Sequence, residues 1–370
     1  MNFLDRLSEN CGRLGEKVAL EFVGEDGAVE MVVGYGELEE MVQRTMGMLQ
    51  GKGVQVGDRV AMQLPKCLPF IYVHLAVMRL EAISLPLNPG YPVRELGYFL
   101  GDAEASLFFA DAAALETLEP SLDEFSSLKE TIFLDVTTMD DFETLLSEYP
   151  NPQSEIQNPK SDSTAMMIYT SGTTGRPKGA MITQANMTAQ IDALHEAWGW
   201  REEDVVLHVL PIFHVHGLTV ALHGALNAGA TAVMLPKFEA ELAVKLMQER
   251  PCSVFMAVPT IHRKMLDYAD GRKIDLSHMR LMTSGSDRLP DNVFTAYEET
   301  FGQTLLERYG MSETGMNLSN PLEGERRVGS VGMSLPGVEA RIVNPATEDV
   351  LPDGEVGEVH IRGPHVCKGY

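Results

Sequence analysis

The amino-acid sequence predicts an α/β protein in which two doubly wound, mostly parallel sheets are packed with helices in αβαβα layers, followed by a small distorted β-barrel. Three observations support this prediction. Helical apolar spacing alternates with short apolar runs along most of the chain. The connections between runs are long enough for parallel crossovers. After residue 328 the pattern changes to short segments separated by turn signals, which is typical of a small β unit.

The first α/β subdomain is expected over about residues 1–160. Apolar residues recur at helical spacing in 36–50, and a Gly-Asp turn then leads into a short strand at RVAMQL. The alternation continues with the helix IYVHLAVMRLEA, the strand ISLPLN, the helix VRELGYFLGDA and the strand SLFFADA. From about Leu115 to Asp162 the sequence is acidic and weakly patterned, which predicts a surface excursion and a linker.

The second α/β subdomain is expected over 161–327, and a small β subdomain over 328–370. The strand TAMMIYT opens the second subdomain, and a helix is predicted from Gln184 to Trp198. Further strands are predicted at VVLHVLPI, TAVMLP, SVFMAVP, MRLMTSG and TLLERYG, with a helix at VALHGALNAGA. Each strand ends in a polar or glycine-containing turn, and open α/β sheets bind ligands beyond the carboxyl ends of their strands.

Composition excludes several classes of function. The chain has 370 residues, which is long enough for more than one packed subdomain. Its formal charge of −24 argues against a nucleic-acid surface and against polybasic attachment to a membrane. No apolar run reaches membrane-spanning length and no signal peptide is recognisable, so we expect a cytoplasmic protein without stable membrane insertion. The four cysteines are widely spaced and predict neither a zinc site nor disulfides.

The strongest local signal is the segment YTSGTTGRPKG, Tyr169 to Gly179, which directly follows the strand TAMMIY. Its glycines allow backbone N–H groups to point at an anion, its hydroxyls add donors, and Lys178 adds a positive charge. The segment fits neither a Walker A loop nor the dinucleotide fingerprint. We therefore predict a loop that binds a triphosphate in a different way.

This loop resembles the phosphate loop of the superfamily of acyl- and aryl-CoA synthetases, peptide-synthetase adenylation domains and luciferases. Further motifs follow in the same order. LPIFHVHG resembles the acyl-pocket segment, TSGSDRLP the adenine-side loop, and ERYGMSETG the nucleotide and magnesium motif. LPGVEARIV and GEVGEVHIRGPHVCKGY are similar to the trailing β segments. Within the superfamily, the motifs most resemble malonyl- and methylmalonyl-CoA synthetases.

The resemblance implies an ATP-dependent, AMP-forming acyl-CoA ligase that uses Mg²⁺ and takes coenzyme A as a substrate. It assigns catalytic roles to Thr174, Lys178, Glu313 and Thr314, with Glu313 as the Mg²⁺ ligand and Thr314 at the α-phosphate. It assigns ATP binding to Thr170, Ser171, Gly172, Thr173, Gly175, Ser284, Gly285, Ser286, Asp287, Glu307, Tyr309, Gly310, Met311 and Ser312. It assigns acid binding to His214, Arg263, Lys264, Ser286, Arg288, Gly310 and Met316.

The identity of the acid stays open at this point. A malonate-type substrate keeps a second carboxylate that must be paired when buried, and Arg263, Lys264 and Arg288 are the candidate partners. The sequence departs from its relatives at Asp287-Arg288, where they usually carry a small pair. The alternatives are a short- or medium-chain fatty acyl-CoA synthetase with an apolar pocket, and a non-catalytic nucleotide-binding protein on the same fold.

The resemblance covers nearly the whole chain, which ends at CKGY. Family members continue through a Thr-Gly-Asp ribose anchor, a hinge and a mobile lid that bears a catalytic lysine. We therefore expect the C-terminal lid domain to be absent here. Whether the chain forms a homo-oligomer stays open.

Overall fold

The strands form two large sheets and one small one. A computed structural model describes residues 1–150, 159–170 and 175–370 of the chain. Its strands are β1 Val18–Val23, β2 Val29–Gly34, β3 Arg59–Gln63, β4 Ile83–Pro86, β5 Leu107–Asp111, β6 Glu130–Leu134, β7 Thr164–Thr170, β8 Lys178–Thr183, β9 Val205–His208, β10 Thr231–Met234, β11 Val254–Ala257, β12 Leu281–Ser284, β13 Leu306–Met311, β14 Gly315–Ser319, β15 Met333–Ser334, β16 Glu339–Val343 and β17 Glu358–Arg362.

The helices lie between these strands in the alternation that the sequence predicts. They are α1 Phe3–Arg13, α2 Tyr35–Gly51, α3 Leu68–Arg79, α4 Val93–Asp102, α5 Leu115–Leu118, α6 Asp140–Ser147, α7 Gln184–Trp198, α8 Gly224–Ala228, α9 Ala240–Glu249, α10 Pro259–Ala269 and α11 Asp291–Phe301. A π-helix, His216–His223, runs directly into α8. None of the helices in the described part of the chain is both long and apolar enough to cross a membrane.

Helix α7 shows how local sequence sets these boundaries. Thr183 caps its N-terminus, where the Thr183 hydroxyl accepts from the Asn186 backbone N–H and the Asn186 side chain accepts from Thr183 N–H. The helix ends at Gly199, whose φ of 56° lies in the left-handed region that glycine adopts without strain. The predicted range Gln184–Trp198 is therefore confirmed.

The six-stranded sheet has the order β6-β5-β3-β4-β7-β8. All neighbouring pairs are parallel except β7 and β8, which form an antiparallel hairpin. Strand β6 and helix α6 come from the acidic stretch that was predicted to be a surface excursion and linker. That prediction is wrong for these elements, because Ile132, Leu134, Phe142 and Leu146 are buried in the core.

The nine-stranded sheet has the order β15-β14-β13-β12-β11-β9-β10-β1-β2. Its central strands are parallel, and antiparallel pairs stand at both edges. Strands β1 and β2 come from the N-terminal segment, whereas β7 and β8 of the other sheet follow residue 160. The predicted boundary near 160 therefore does not separate the two sheets, because each sheet takes a hairpin from the far side of it.

The segment after residue 328 is built from short strands, as predicted. Strand β15 joins the nine-stranded sheet, and β16 and β17 pair antiparallel with each other. The α/β class with helix-packed, mostly parallel sheets is confirmed. Closure of the last segment into a distorted barrel stays a prediction.

Candidate functional site

The first part of the site is the hairpin formed by β7 and β8. Strand β7 ends at Thr170 and β8 begins at Lys178, and these two residues are opposite each other in the hairpin register. The predicted phosphate loop is thus the connection between two adjacent strands. Its central residues, Ser171, Gly172, Thr173 and Thr174, lie outside the described residues, whereas Gly175 is described and exposed.

The second part is the turn between β13 and β14, which carries Glu313. The Glu313 Oε1 accepts a hydrogen bond from Thr170 Oγ1 at 3.0 Å and another from the Tyr370 hydroxyl at 3.1 Å. The Lys178 Nζ lies 5.0 Å from the centroid of the same Tyr370 ring. Three residues that the sequence predicted to act together, Thr170, Lys178 and Glu313, therefore converge from two sheets.

Glu313 fits a magnesium ligand. No donor among the described residues reaches its Oε2, and both partners of Oε1 are hydroxyl groups. Magnesium usually keeps several waters and binds through one or two carboxylates together with substrate phosphates. A single carboxylate beside a phosphate-binding loop matches that requirement, and the described residues contain no group of three or more His, Cys, Asp or Glu side chains that would suggest another metal.

A cavity of about 620 Å³ opens at the carboxyl ends of the parallel strands of the nine-stranded sheet. Strands β9, β11, β12 and β13 end there, so the segments that follow or complete these strands form its walls, as expected for open α/β sheets. The lining residues are Val209, Leu210, Pro211, His214, Val215, His216, Gly217, Phe238, Val258, Thr260, Ile261, Ser286, Arg308, Gly310, Met311, Ser312 and Met316. Most of this lining is apolar.

Arg308 is the charged residue among the polar side chains of this lining. Its side chain is buried, with a relative exposure of 2%, and its Nε, Nη1 and Nη2 atoms have no hydrogen-bond partner in the described structure. Burial lowers the pKa of the guanidinium to about 9, which leaves it charged at neutral pH. An unpaired buried charge is costly, so this position favours an anionic ligand.

The loop after β12 gives Arg308 its place. A Cβ on Gly285 would stand 2.4 Å from the Arg308 Cζ, so only glycine leaves room for the guanidinium. The next residue, Ser286, has a φ of 68°, and its hydroxyl lies 3.2 Å from His216 Nδ1. Burial, together with the charge of Arg308, lowers the pKa of His216, so this imidazole stays neutral.

Some of the remaining predicted residues line the cavity, and others lie buried or half-buried in the strands and turns beside it. His214, Ser286, Gly310, Met311, Ser312 and Met316 line the cavity. Ser284 is buried at the end of β12, and Tyr309 is half-buried in β13. Glu307 is buried and its Oε1 accepts from the Leu289 N–H at 3.0 Å, so it holds the Ser286–Leu289 loop. Burial raises the pKa of this carboxyl. Thr314 is buried in the turn that carries Glu313.

The cations predicted from the sequence to pair the acid lie outside the cavity lining. Arg263 and Lys264 are exposed on α10, one turn beyond Thr260 and Ile261, which do line the cavity. Arg288 is also exposed, and its Nη2 lies 3.4 Å from Asp291 Oδ1. Asp287 accepts from the Arg288 N–H at 2.8 Å. Arg308, which the sequence motifs did not indicate as an acid-binding residue, is the cationic residue that lines the cavity.

Arg308 could have been noticed in the sequence. It stands in the strand LLERYG, inside the nucleotide motif, where a charged residue follows a buried apolar run. A charged side chain in a short central strand usually needs a buried partner. The adjacent motifs contain acidic residues, but in the described structure none of them contacts the Arg308 guanidinium, so the signal in the sequence is the charge itself inside a buried strand.

Comparison with known proteins agrees with this geometry. The family model described as AMP-binding enzyme matches residues 7–370. The mitochondrial malonate–CoA ligase of Bos taurus is 38% identical over 350 residues, covering 85% of this chain and 58% of the relative. The oxalate–CoA ligase of Arabidopsis thaliana is 34% identical over 349 residues, covering 91% of this chain and 66% of the relative.

Among solved structures, ATP-bound MatB from Rhodopseudomonas palustris superposes with a TM-score of 0.89 at 35% sequence identity. The match covers 100% of this chain and 72% of that chain. The chain spans about three fifths of the length of the malonate–CoA ligase relative from Bos taurus.

Proposed function

Because this chain belongs to the AMP-binding enzyme family, we propose that it is the nucleotide- and acid-binding part of an AMP-forming acyl-CoA ligase. In the proposed reaction, a carboxylate oxygen of the acid attacks the α-phosphorus of ATP and pyrophosphate leaves. The thiol sulfur of coenzyme A then attacks the acyl carbon of the adenylate, and AMP leaves. The protein contributes by positioning the reactants and by stabilising negative charge.

The residues around the hairpin of β7 and β8 are proposed to bind the nucleotide. Lys178 and the loop from Thr170 would hold the β- and γ-phosphates, and the loop after β12 with Tyr309 would hold the adenine. Glu313 would hold Mg²⁺, which when bound neutralises phosphate charge. The convergence of Thr170, Lys178 and Glu313 through a 3.0 Å hydrogen bond and a shared tyrosine supports this arrangement.

The single observation that selects the acid is the unpaired guanidinium of Arg308 in the cavity wall. A small dicarboxylic acid of the malonate or methylmalonate type would present one carboxylate for activation and the other to Arg308. The charge-assisted pair would then satisfy both buried groups. The names of the two relatives support this choice, since malonate and oxalate are both dicarboxylates.

A second candidate substrate is a short- or medium-chain fatty acid. The apolar walls of the cavity, which include Leu210, Phe238, Ile261 and Met316, favour it. His214 is exposed and lines the same cavity, where it would act as a wall or gate. A fatty acid would leave Arg308 buried without a partner, so the dicarboxylate is the better fit.

The test is the substitution Arg308→Met, which puts an unbranched apolar side chain in place of the arginine and removes the charge. In the full-length protein, kcat/KM for malonate in ATP–pyrophosphate exchange should fall relative to kcat/KM for propionate. The ratio should change by the equivalent of roughly 2–5 kcal/mol, the order expected when a buried carboxylate loses its cation. The unliganded variant should unfold at the same temperature or higher, because an unpaired buried charge is removed.

The matched controls are Arg263→Met and Lys264→Met on the exposed face of α10. Both should keep the preference of the wild type for malonate. A wild type that prefers hexanoate to malonate, together with an Arg308→Met variant of unchanged preference, would decide for the fatty acid. Loss of malonate preference in a control variant would show that a cation on α10 pairs the second carboxylate.

Two further features of the proposed enzyme stay predictions, its cytoplasmic location and its lack of a nucleic-acid partner. Whether it forms a homo-oligomer stays open. The location needs a direct test, because the relative from Bos taurus is named as mitochondrial. Fluorescence microscopy of a tagged full-length protein would decide it.

A further inference from the structure

Helix α4 contacts both arms of the hairpin that carries the predicted phosphate loop. The Tyr98 hydroxyl donates to the Pro177 carbonyl oxygen at 2.7 Å, just before β8 begins. The Tyr169 hydroxyl, near the end of β7, donates to Asp102 Oδ2 at 2.6 Å. The direction of both hydrogen bonds is fixed by chemistry, because a carbonyl or carboxylate oxygen accepts and the phenol carries the hydrogen. The helix therefore donates to one arm and accepts from the other.

Helix α4 is itself held by its apolar face. Leu96, Phe99 and Leu100 are buried, and they belong to a core cluster that includes residues of β3, β4 and β5 of the six-stranded sheet. Tyr98 and Asp102 are four residues apart, so they lie on the same side of the helix, one turn from each other. A helix that is fixed to the sheet thus presents a donor and an acceptor at a set spacing.

Ring contacts reinforce the two hydrogen bonds. The rings of Tyr98 and Tyr169 meet edge to face at 6.3 Å between centroids, and the Phe99 ring lies 4.7 Å from that of Tyr169. The Arg176 guanidinium carbon lies 5.7 Å from the centroid of the Tyr98 ring, within the range of a cation–π contact. Burial, together with the Asp102 carboxylate, raises the pKa of Tyr169, so its phenol stays protonated and donates. Residues on both sides of the loop therefore pack against α4.

The Tyr98 contact holds the backbone directly before Lys178. The carbonyl group of Pro177 belongs to the planar peptide bond that ends at the Lys178 nitrogen. The Lys178 Nζ lies 5.0 Å from the centroid of the Tyr370 ring, and the Tyr370 hydroxyl donates to Glu313. Lysine has a flexible four-carbon stem, so the place that its ammonium group reaches depends on where its backbone is held.

We propose that Tyr98 and Asp102 are positioning residues, through which α4 holds both arms of the hairpin and presents Lys178 to the triphosphate of ATP. The inference rests on the proposed function, in which Lys178 binds the β- and γ-phosphates. A group that is held in place before its ligand arrives loses less conformational freedom on binding. A positive charge that is already in position also stabilises phosphate oxygens without reorganisation.

The test is Tyr98→Phe, which removes the hydroxyl and keeps the ring with its contacts to Phe99 and Arg176. In ATP–pyrophosphate exchange by the full-length protein, the KM for ATP should rise about three- to tenfold, the effect of one lost hydrogen bond, while the KM for malonate changes little. Tyr91→Phe is the matched control, because its ring also packs on Phe99, at 4.8 Å between centroids, and its hydroxyl makes no hydrogen bond in the described part of the chain. An unchanged KM for ATP in Tyr98→Phe, or the same rise in both variants, would overturn the role of Tyr98.

A double-mutant cycle separates positioning of the lysine from general damage to the fold. In a Lys178→Met background there is no ammonium group to present, so Tyr98→Phe should cause little further rise in the KM for ATP. An equal rise in both backgrounds would show that Tyr98 does not act through Lys178.

Asp102 provides an independent comparison on the other arm, and its exposed position lets both of its variants fold. Asp102→Asn keeps an oxygen that accepts from Tyr169 and should keep the KM for ATP close to that of the wild type. Asp102→Leu removes the acceptor and should raise it. Equal KM values in these two variants would overturn the role of Asp102. A wild type without exchange for any acid would overturn the proposed function itself, whereas an active wild type with unaffected Tyr98 and Asp102 variants would overturn only this inference.

Discussion

At the scale of single residues, two glycines in the site are required for different reasons. A Cβ on Gly285 would meet the guanidinium of Arg308, which is the movable end of a side chain. A Cβ on Gly310 would stand 2.1 Å from the Gly315 carbonyl oxygen, which belongs to the backbone of the neighbouring strand. The first glycine therefore sets where a charge lies, and the second allows two strands to approach each other.

We predict that Gly285→Ala displaces Arg308 without unfolding the protein. The new methyl group would push the guanidinium from its position in the cavity wall. Compared with the wild type, the variant should therefore lose more affinity for a malonyl-adenylate analogue than for a propionyl-adenylate analogue, as measured by calorimetry. Gly310→Ala is the contrasting variant, and its thermal unfolding temperature should fall because the carbonyl group cannot move aside. Unchanged binding of both analogues by Gly285→Ala would contradict the importance of the guanidinium position.

The residue scale also shows what the sequence could predict about the site. Lys178 and Glu313 were selected because they stand in motifs of recognisable order, and the structure brings them to one tyrosine. Arg263 and Lys264 were selected as cations that could pair a second carboxylate. The sequence did not reveal that α10 turns these two residues toward solvent, because the phase of a helix is set by what it packs against.

At the scale of elements, one lysine joins the ends of strands from both sheets. Lys66 follows β3 of the six-stranded sheet, and its Nζ donates to the carbonyl oxygens of His208 and Leu235, each at 2.9 Å. These carbonyls stand at the ends of β9 and β10, where the chain continues to Val209 and Phe238 in the cavity wall. Lys66 therefore holds the backbone at the points where two segments of the cavity wall begin.

Burial lowers the pKa of Lys66 from 10.5 to about 7, which predicts a specific dependence of stability on pH. Between these values the unfolded chain binds a proton that the folded chain does not, so Lys66 makes the free energy of unfolding rise with pH. The difference in this free energy between wild type and Lys66→Met should therefore increase from about pH 7 toward pH 10.

Urea unfolding across this range measures the effect of Lys66, with Lys237→Met as the control. Lys237 is exposed just after Leu235, so its removal should leave the pH dependence of stability unchanged. Parallel curves for wild type and Lys66→Met would show that the lysine keeps its proton in the folded state.

At the scale of the whole molecule, the sequence predicted the class of fold better than its connectivity. Short buried strands such as β9 and β11 and a capped helix such as α7 carry their signals locally. The exchange of hairpins between the sheets carries no local signal. Whether β1 pairs with β10 or with a nearer strand depends on which pairing buries more apolar surface, and that is a property of the folded molecule.

A buried pair of histidines stands where helices of the two sheets meet. Helix α3 packs on the six-stranded sheet and carries His74, and the π-helix packs on β9 and carries His223. Their Nε2 atoms are 2.9 Å apart, so one donates and the other accepts. His74 Nδ1 also lies 2.6 Å from the Ser84 hydroxyl, and the Phe3 ring stacks on His223 at 4.5 Å between centroids. Charging both rings would break this contact.

We predict that this histidine pair weakens the fold on acidification. Burial lowers the pKa of His74 from 6.5 to about 3 and lowers that of His223 well below its usual value. Below pH 6.5 the unfolded chain binds protons that the folded chain does not bind. The free energy of unfolding therefore decreases by about 1.4 kcal/mol for each such histidine for every unit by which the pH is lowered. His74→Gln should therefore show a shallower loss of unfolding free energy between pH 6 and pH 4.5, by roughly one proton.

His360→Gln is the control, since that side chain is 39% exposed, and it should keep the wild-type slope. Equal slopes in wild type and His74→Gln would mean that His74 charges without disturbing the contact between the sheets.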